Sequence, residues 1–331
     1  MSARPPTPPV KITLIGLDRV GGSLGLALRE RKTIRVTGFD RDGDLARLAA
    51  SRGLVHDARW DLPEAVSGAD LVLLGGPLAD QAEHLRTMAP ALREAAVVAC
   101  LGPLLAPPLA WGQAHLPARR HVVAAHPILN PAYLHDGALG LDAARADLFA
   151  RGLWALAAGP EAAPEAVKLL SDLAALLGAQ PHFMDPAEHD GLMGALDGLP
   201  VLTALALLRA ADASPGWAEM RKVADRGFAT ATFALNTADP AALSLNRDNV
   251  LRYLDAALAE LQAVRDQLAR GDQAALAMAL AEAAERRAKW AAEREQGEWE
   301  AAEQDRPELP TFGDLLGRAF TGGLFQKRDK K

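Results

Sequence analysis

The sequence predicts an α/β domain built on a parallel, doubly wound sheet, followed by an all-α domain. Three observations carry that expectation. Short apolar runs alternate with helical stretches along the first half of the chain. The first run enters a glycine-rich turn and leaves it as a helix. Beyond Asp185 nearly every segment has helical periodicity instead.

The opening strand is Lys11-Ile12-Thr13-Leu14-Ile15. The turn Gly16-Leu17-Asp18-Arg19-Val20-Gly21-Gly22-Ser23 follows it, and a helix continues through Arg29. This is the setting of a G-x-G-x-x-G fingerprint and marks a Rossmann-type nucleotide-binding domain. Gly16 makes the tight turn, and Gly21 allows helix and strand to pack closely. Asp18 stands where a second glycine would let the backbone touch a diphosphate, and a carboxylate there repels phosphate. The expected cofactor-binding residues of the turn are Gly16, Leu17, Arg19, Val20 and Gly21. Arg19 either reaches the diphosphate from the helix N-terminus or pairs with Asp18 across the loop. Ser23 either contacts a phosphate or completes the turn.

The second strand, Ile34 to Asp40, ends in an acid suited to a ribose hydroxyl, which favours NAD. Arg41 follows and suits a 2′-phosphate, so NADP stays open. Ala69 to Leu74 is a third buried strand, and Gly76 and Pro77 after it are placed to line the nicotinamide half. Ala95 to Cys100 and His121 to His126 are further strands, with helices over Asp44–Arg52 and Gln81–Met88 between them. A helix from Pro164 to Leu177 and a strand from Gln180 to Met184 close the domain.

The expected organisation is a proline-rich disordered tail over 1–10, a nucleotide-binding domain over 11–185 and a helical dimerisation or substrate domain over 186–305. The helices of the last are Ala187–Ala211, Trp217–Asn236, Ala241–Leu268 and Gln273–Ala302. Residues 306–331 are expected to form a tail with an amphipathic stretch and a basic end, suited to docking on its own or a neighbouring subunit or, alternatively, to binding a partner or a membrane surface. The 331 residues carry a net charge of −6, which argues against nucleic-acid binding. A single Cys100 excludes an intramolecular disulfide or a multi-cysteine metal site. No signal core precedes the first strand, and the strongest apolar run, Leu196 to Ala211, is short and carries Asp197 and Arg209. These features predict a soluble, cytoplasmic homodimer with a small-molecule substrate and no integral membrane contact. His182, His189 and Asp185 lack metal-ligand spacing, and Asp185 reads as a helix cap.

From Lys11 to Leu280 the chain resembles the prephenate/arogenate dehydrogenases, NAD(P)-dependent enzymes of tyrosine synthesis. The resemblance rests on Gly21-Gly22-Ser23, Gly38-Phe39-Asp40, Pro77, His126-Pro127, Asp147-Leu148-Phe149 and Leu177-Gly178-Ala179. It continues through His189-Asp190, Leu199-Pro200, Gly227-Phe228 and Asn249. It implies oxidation at a ring carbon bearing a hydroxyl, coupled to loss of the ring carboxylate. It also implies that His126 accepts the hydroxyl proton, with Asn130 in place of the glycine of H-P-x-x-G.

Other family positions differ. Pro103 and Leu105 replace a serine and a lysine, and Asp197-Gly198-Leu199-Pro200-Val201 replaces S-H-x-P-H. The carboxylate-clamping arginine after glycine-phenylalanine is absent from Gly227-Phe228-Ala229-Thr230. Three readings therefore remain. One is a family dehydrogenase with re-sited charge, for which Arg221, Lys222 and Arg226 are candidates. Another is the same fold acting on a less anionic substrate through His126 and Asn130. The third is a catalytically silent dimeric relative used for regulation or scaffolding.

Overall fold

β1 (Val10–Ile15) is apolar from Ile12 onward and buries those residues in the centre of the sheet. In the computed structural model, which describes residues 9–297, it leads through Gly16 into α1 (Arg19–Arg29). Gly16 takes φ +84°, a conformation that favours glycine, and a Cβ on Gly21 would overlap the Gly16 carbonyl. The turn and the helix start are therefore locked to each other by the absence of two side chains.

The α/β part continues with β2 (Ile34–Phe39), α2 (Gly43–Ser51), β3 (Asp57–Ala58), α3 (Leu62–Val66), β4 (Leu71–Leu74) and α4 (Leu78–Met88). β5 (Val97–Leu101), α5 (Ala106–His115), β6 (His121–Ile128), β7 (Leu153–Ala158), α6 (Pro164–Leu176) and β8 (Gln180–Phe183) complete it. The eight strands lie in the order β3-β2-β1-β4-β5-β6-β7-β8. All pairs are parallel except β6–β7, where His126 faces Ala155 across an antiparallel ladder. The order reverses between β1 and β4, which leaves a crevice at the carboxyl ends of those strands.

Both faces of this sheet are covered. One cluster joins Ile12, Leu14, Leu24, Leu28 and Val36 to Phe149, Trp154 and Leu170. The other joins Ile15, Val72, Leu74, Leu85, Met88 and Val98. Cys100 on β5 is fully buried, and burial pushes its thiol up to about 12, so it stays protonated and unreactive.

The remaining helices are α7 (Pro186–Met193), α8 (Leu199–Asp212), α9 (Trp217–Val223), α10 (Arg226–Thr232), α11 (Pro240–Leu245), α12 (Arg247–Arg270) and α13 (Gln273–Gln296). Three expected helices are each divided. A π-helical turn at Gly194–Gly198 separates α7 from α8. Extended backbone at Ala224 and Asp225 separates α9 from α10, and Thr232 ends in a 3₁₀ turn instead of continuing to Asn236. Asn246 interrupts the run between α11 and α12. Pro186–Asp212 is, by length and composition alone, long and apolar enough to cross a membrane, which exceeds the expectation for that run. Within the described residues the chain divides after Ala277 into a large unit and the rest of α13. The amphipathic tail expected over 306–331 lies outside the described residues.

Candidate active site

At the carboxyl ends of the strands, Gly16 packs against Gly75 and Gly76 ahead of α4, and the end of β6 meets the first turn of α7. Asp18 is the N-cap of α1, and its Oδ1 accepts from Val20 N at 2.9 Å and Gly21 N at 3.0 Å. Those amides are the donors a helix N-terminus offers to a phosphate. Asp40 closes the turn from β2: its Oδ2 accepts from Leu17 N at 2.7 Å and its Oδ1 from Asp42 N at 2.9 Å. Arg41 pairs with Asp80 of α4 at 2.5 Å. Gly76 takes φ +84°, and a Cβ built there would meet nothing within 4 Å, so the backbone beside Pro77 is open to a ligand.

Arg19 neither pairs with Asp18 nor turns toward a phosphate. Its guanidinium forms a fork on Asp136, at 2.9 and 2.5 Å, and also donates to Ala138 O at 2.7 Å. It lies 5.7 Å from the Tyr133 ring centroid. Ser23 completes the turn: its hydroxyl donates to Arg19 O at 2.6 Å and accepts from Arg145 N at 2.9 Å. The segment 129–150 is thereby strapped across the start of α1.

His126 ends the buried part of β6 and is half-buried. Its Nδ1 lies 3.1 Å from His189 Nε2, with the two rings edge to face. His189 Nδ1 lies 3.0 Å from Asp190 Oδ1. The same carboxylate accepts from Leu105 N at 2.7 Å and Ala106 N at 3.0 Å, so it anchors the start of α5. Asn246 donates to Asp190 O at 2.7 Å and is itself held by Asn249 at 2.8 Å.

This chain of contacts sets the tautomers. With the Asp190 carboxylate as acceptor, His189 Nδ1 donates and its Nε2 becomes an acceptor. His126 Nδ1 then donates to it, which leaves His126 Nε2 carrying a lone pair. Desolvation and the facing His189 hold the His126 imidazole down to about 3, so it stays neutral at ordinary pH.

Asn130 is buried and spends its side chain on backbone. Its Oδ1 accepts from Ala132 N at 3.1 Å and its Nδ2 donates to Asp147 O at 3.2 Å. Both contacts shape the strap, and each end of the amide keeps one further hydrogen-bonding site. Asp185 caps α7 by accepting from Ala187 N and Glu188 N. The structure joins His189 and Asp190, part of the resemblance noted above, to His126. It also adds Asp239, whose Oδ2 accepts from Leu78 N at 2.8 Å directly after Pro77. Desolvation and Asp239 together push the Asp197 carboxyl upward. Arg221, Lys222 and Arg226 are exposed, and Lys222 pairs with Glu219 at 2.7 Å.

Two family models cover this chain. Prephenate dehydrogenase, nucleotide-binding domain, matches residues 24–182, and prephenate dehydrogenase, dimerization domain, matches residues 185–282. The chain belongs to the prephenate dehydrogenase family. A cyclohexadienyl dehydrogenase of Zymomonas mobilis is 25% identical over 198 residues, covering 60% of this chain and 66% of that relative's own length. Among solved structures, prephenate dehydrogenase from A. aeolicus in complex with hydroxyphenyl propionate and NAD+ aligns with TM-score 0.73 and 20% identity. That alignment covers 85% of this chain and 98% of the other. Synechocystis arogenate dehydrogenase aligns with TM-score 0.65 and 23% identity over 85% of this chain and all of that one. The fold is thus a nucleotide-binding domain followed by a helical region of the family's dimerisation type. The nucleotide-domain match begins at Leu24, after the turn that holds Asp18.

Proposed function

We propose that this chain is an NAD(P)-dependent dehydrogenase of a cyclohexadienyl hydroxy acid, with His126 as the proton acceptor. The contact chain Asp190–His189–His126 carries this reading. A neutral imidazole with one fixed free nitrogen is what a substrate hydroxyl needs as a partner. The turn supports this reading: Gly16 and Gly21 give it the backbone of a nucleotide turn, Asp40 ends β2 and holds Leu17 N, and a Cβ at Gly76 would meet nothing within 4 Å. When bound, the dinucleotide supplies the hydride acceptor.

On this reading His126 Nε2 takes the hydroxyl proton as the ring carbon gives up its hydride. The ring carboxylate leaves as CO2, its bonding pair completes the aromatic ring, and the proton returns to the phenolic oxygen. His189 and Asp190 hold the imidazole in place and fix which of its nitrogens faces the substrate. We infer that the chain works as a homodimer, joined through the exposed leucine stripe of α12 (Leu251, Leu258, Leu261 and Leu268).

One observation favours a second reading, in which the substrate is less anionic than a dicarboxylate. Asp239 sits at the start of α4, and Asp197 is near enough to feel its charge. The Asp239 carboxylate beside the Gly76–Pro77 loop disfavours a second substrate carboxylate.

Calorimetric titration with NAD+ and NADP+, followed by turnover assays on prephenate, arogenate and related hydroxy acids, tests both readings. The expected result is cofactor binding with turnover that falls by about 10²–10⁴ in His126→Asn while cofactor affinity holds. Turnover of arogenate or neutral analogues without prephenate would select the second reading. No heat with either cofactor up to millimolar concentration would leave a silent dimeric relative.

A further inference from the structure

We propose that Asp18 is a built-in occupant of the diphosphate seat, and that a dinucleotide binds this chain only by displacing the Asp18 carboxylate from the Val20 and Gly21 amides. This rests on the dinucleotide reading above and adds to it what controls access to the seat.

Three observations meet at this point. The carboxylate takes both amides with good geometry, at 2.9 and 3.0 Å, so the donors that would hold a phosphate are already satisfied. The adjacent cation is diverted. Arg19 forms its fork on Asp136 and a third bond to Ala138 O, within a strap also held by Ser23. Desolvation pushes the Asp18 carboxyl upward and the nearby Asp40 charge pushes it further, so two acids share the mouth of the turn before any phosphate arrives.

The plug is removable. Asp18 is solvent-exposed, and it holds the amides through its side chain alone, so rotation of that side chain uncovers both. The backbone around it keeps the shape of a nucleotide turn, with Gly16 in its left-handed conformation and Gly21 packed on it. The seat is therefore intact and occupied, and Asp18 sets how readily phosphate wins it.

The test titrates the full chain with NAD+, NADP+ and adenosine, comparing wild type with Asp18→Gly and Asp18→Ser. Glycine restores the usual motif, while serine keeps a helix cap without the charge. Thermal melts confirm that each variant is folded. Removal of an anion from a phosphate seat is expected to tighten NAD+ and NADP+ by about tenfold or more in both variants. Adenosine, which has no phosphate, is expected to bind all three proteins equally. Equal NAD+ affinity in wild type and both variants would overturn the plug and leave the dehydrogenase reading standing. A parallel gain for adenosine would also overturn it, because the gain would then not come from charge at the seat. Absence of dinucleotide binding in every variant would overturn the plug and the dehydrogenase reading together.

Discussion

The sheet half and the helical half of the large unit solve the burial problem differently. Around the sheet, large side chains disappear completely: Trp154 and Phe149 are both 0% exposed and meet edge to face at 5.8 Å. Along α12, by contrast, Leu258 is 55% exposed and Leu261 62%. A parallel sheet covered by helices on both faces closes its core within one chain. A helix whose leucines recur at heptad spacing does not, and needs a second surface. The difference teaches where to look for stability and where to look for assembly.

That contrast can be broken from either side. The largest effect is expected in the sheet: Trp154→Ala should cost about 3–5 kcal/mol, read as a lowered denaturant midpoint. Trp154→Phe should cost much less, because the buried indole N–H has no acceptor among the described residues. On the helical side, Leu258→Glu with Leu261→Glu should leave the sheet folded and weaken self-association by about a hundredfold, or ~3 kcal/mol, in analytical ultracentrifugation. A dimer of unchanged affinity would place the interface elsewhere.

A smaller effect follows from His126. Its folded value of about 3 lies below the ordinary 6.5, so between these the unfolded chain binds a proton that the folded chain refuses. Stability contributed by the neutral imidazole is complete above pH 6.5 and is lost as pH falls toward 3. His126→Asn should flatten that slope when denaturation midpoints at pH 7.5 and 4.5 are compared. The smallest change is expected from Lys168→Ala, which removes an exposed i,i+4 pair with Asp172 and should cost only about 0.3–0.5 kcal/mol in the same denaturation assay.

Much of the sheet half was legible because its signals are local. The run from Lys11 to Arg29 announces strand, turn and helix by adjacency, and β2, β4, β5 and β6 follow apolar runs. β3 is only two residues long, and β7 is an alanine- and leucine-rich run that reads equally as helix, so neither stands out. The interrupted helices were legible as helices but not as broken ones. Asp225-Arg226-Gly227 carries poor helix formers, yet apolar periodicity on both sides masked the break.

At the site, the sequence picks out His126 and His189 separately but not their contact. His189 lies 63 residues away, and only the packing of α7 against the sheet brings the two rings together. Asp18 was read as a clash with phosphate. Its better signal was positional: an aspartate immediately before a helix is a preferred N-cap, and that is the role it takes. Asn130 also holds the backbone carbonyl of Asp147, a contact that the sequence does not reveal.

The π-helical turn at Gly194–Gly198 has an effect on everything that follows it. Each added residue in a helical run rotates the rest by about 100°. The turn therefore works as a phase shift, which sets the azimuth of α8 relative to α7. Deleting Ala195 would straighten the run and swing the apolar side of α8 to a new bearing, with His189 and Asp190 left in register upstream. The orientation of the outer helices is thus tuned by counting residues, independently of which residues they are.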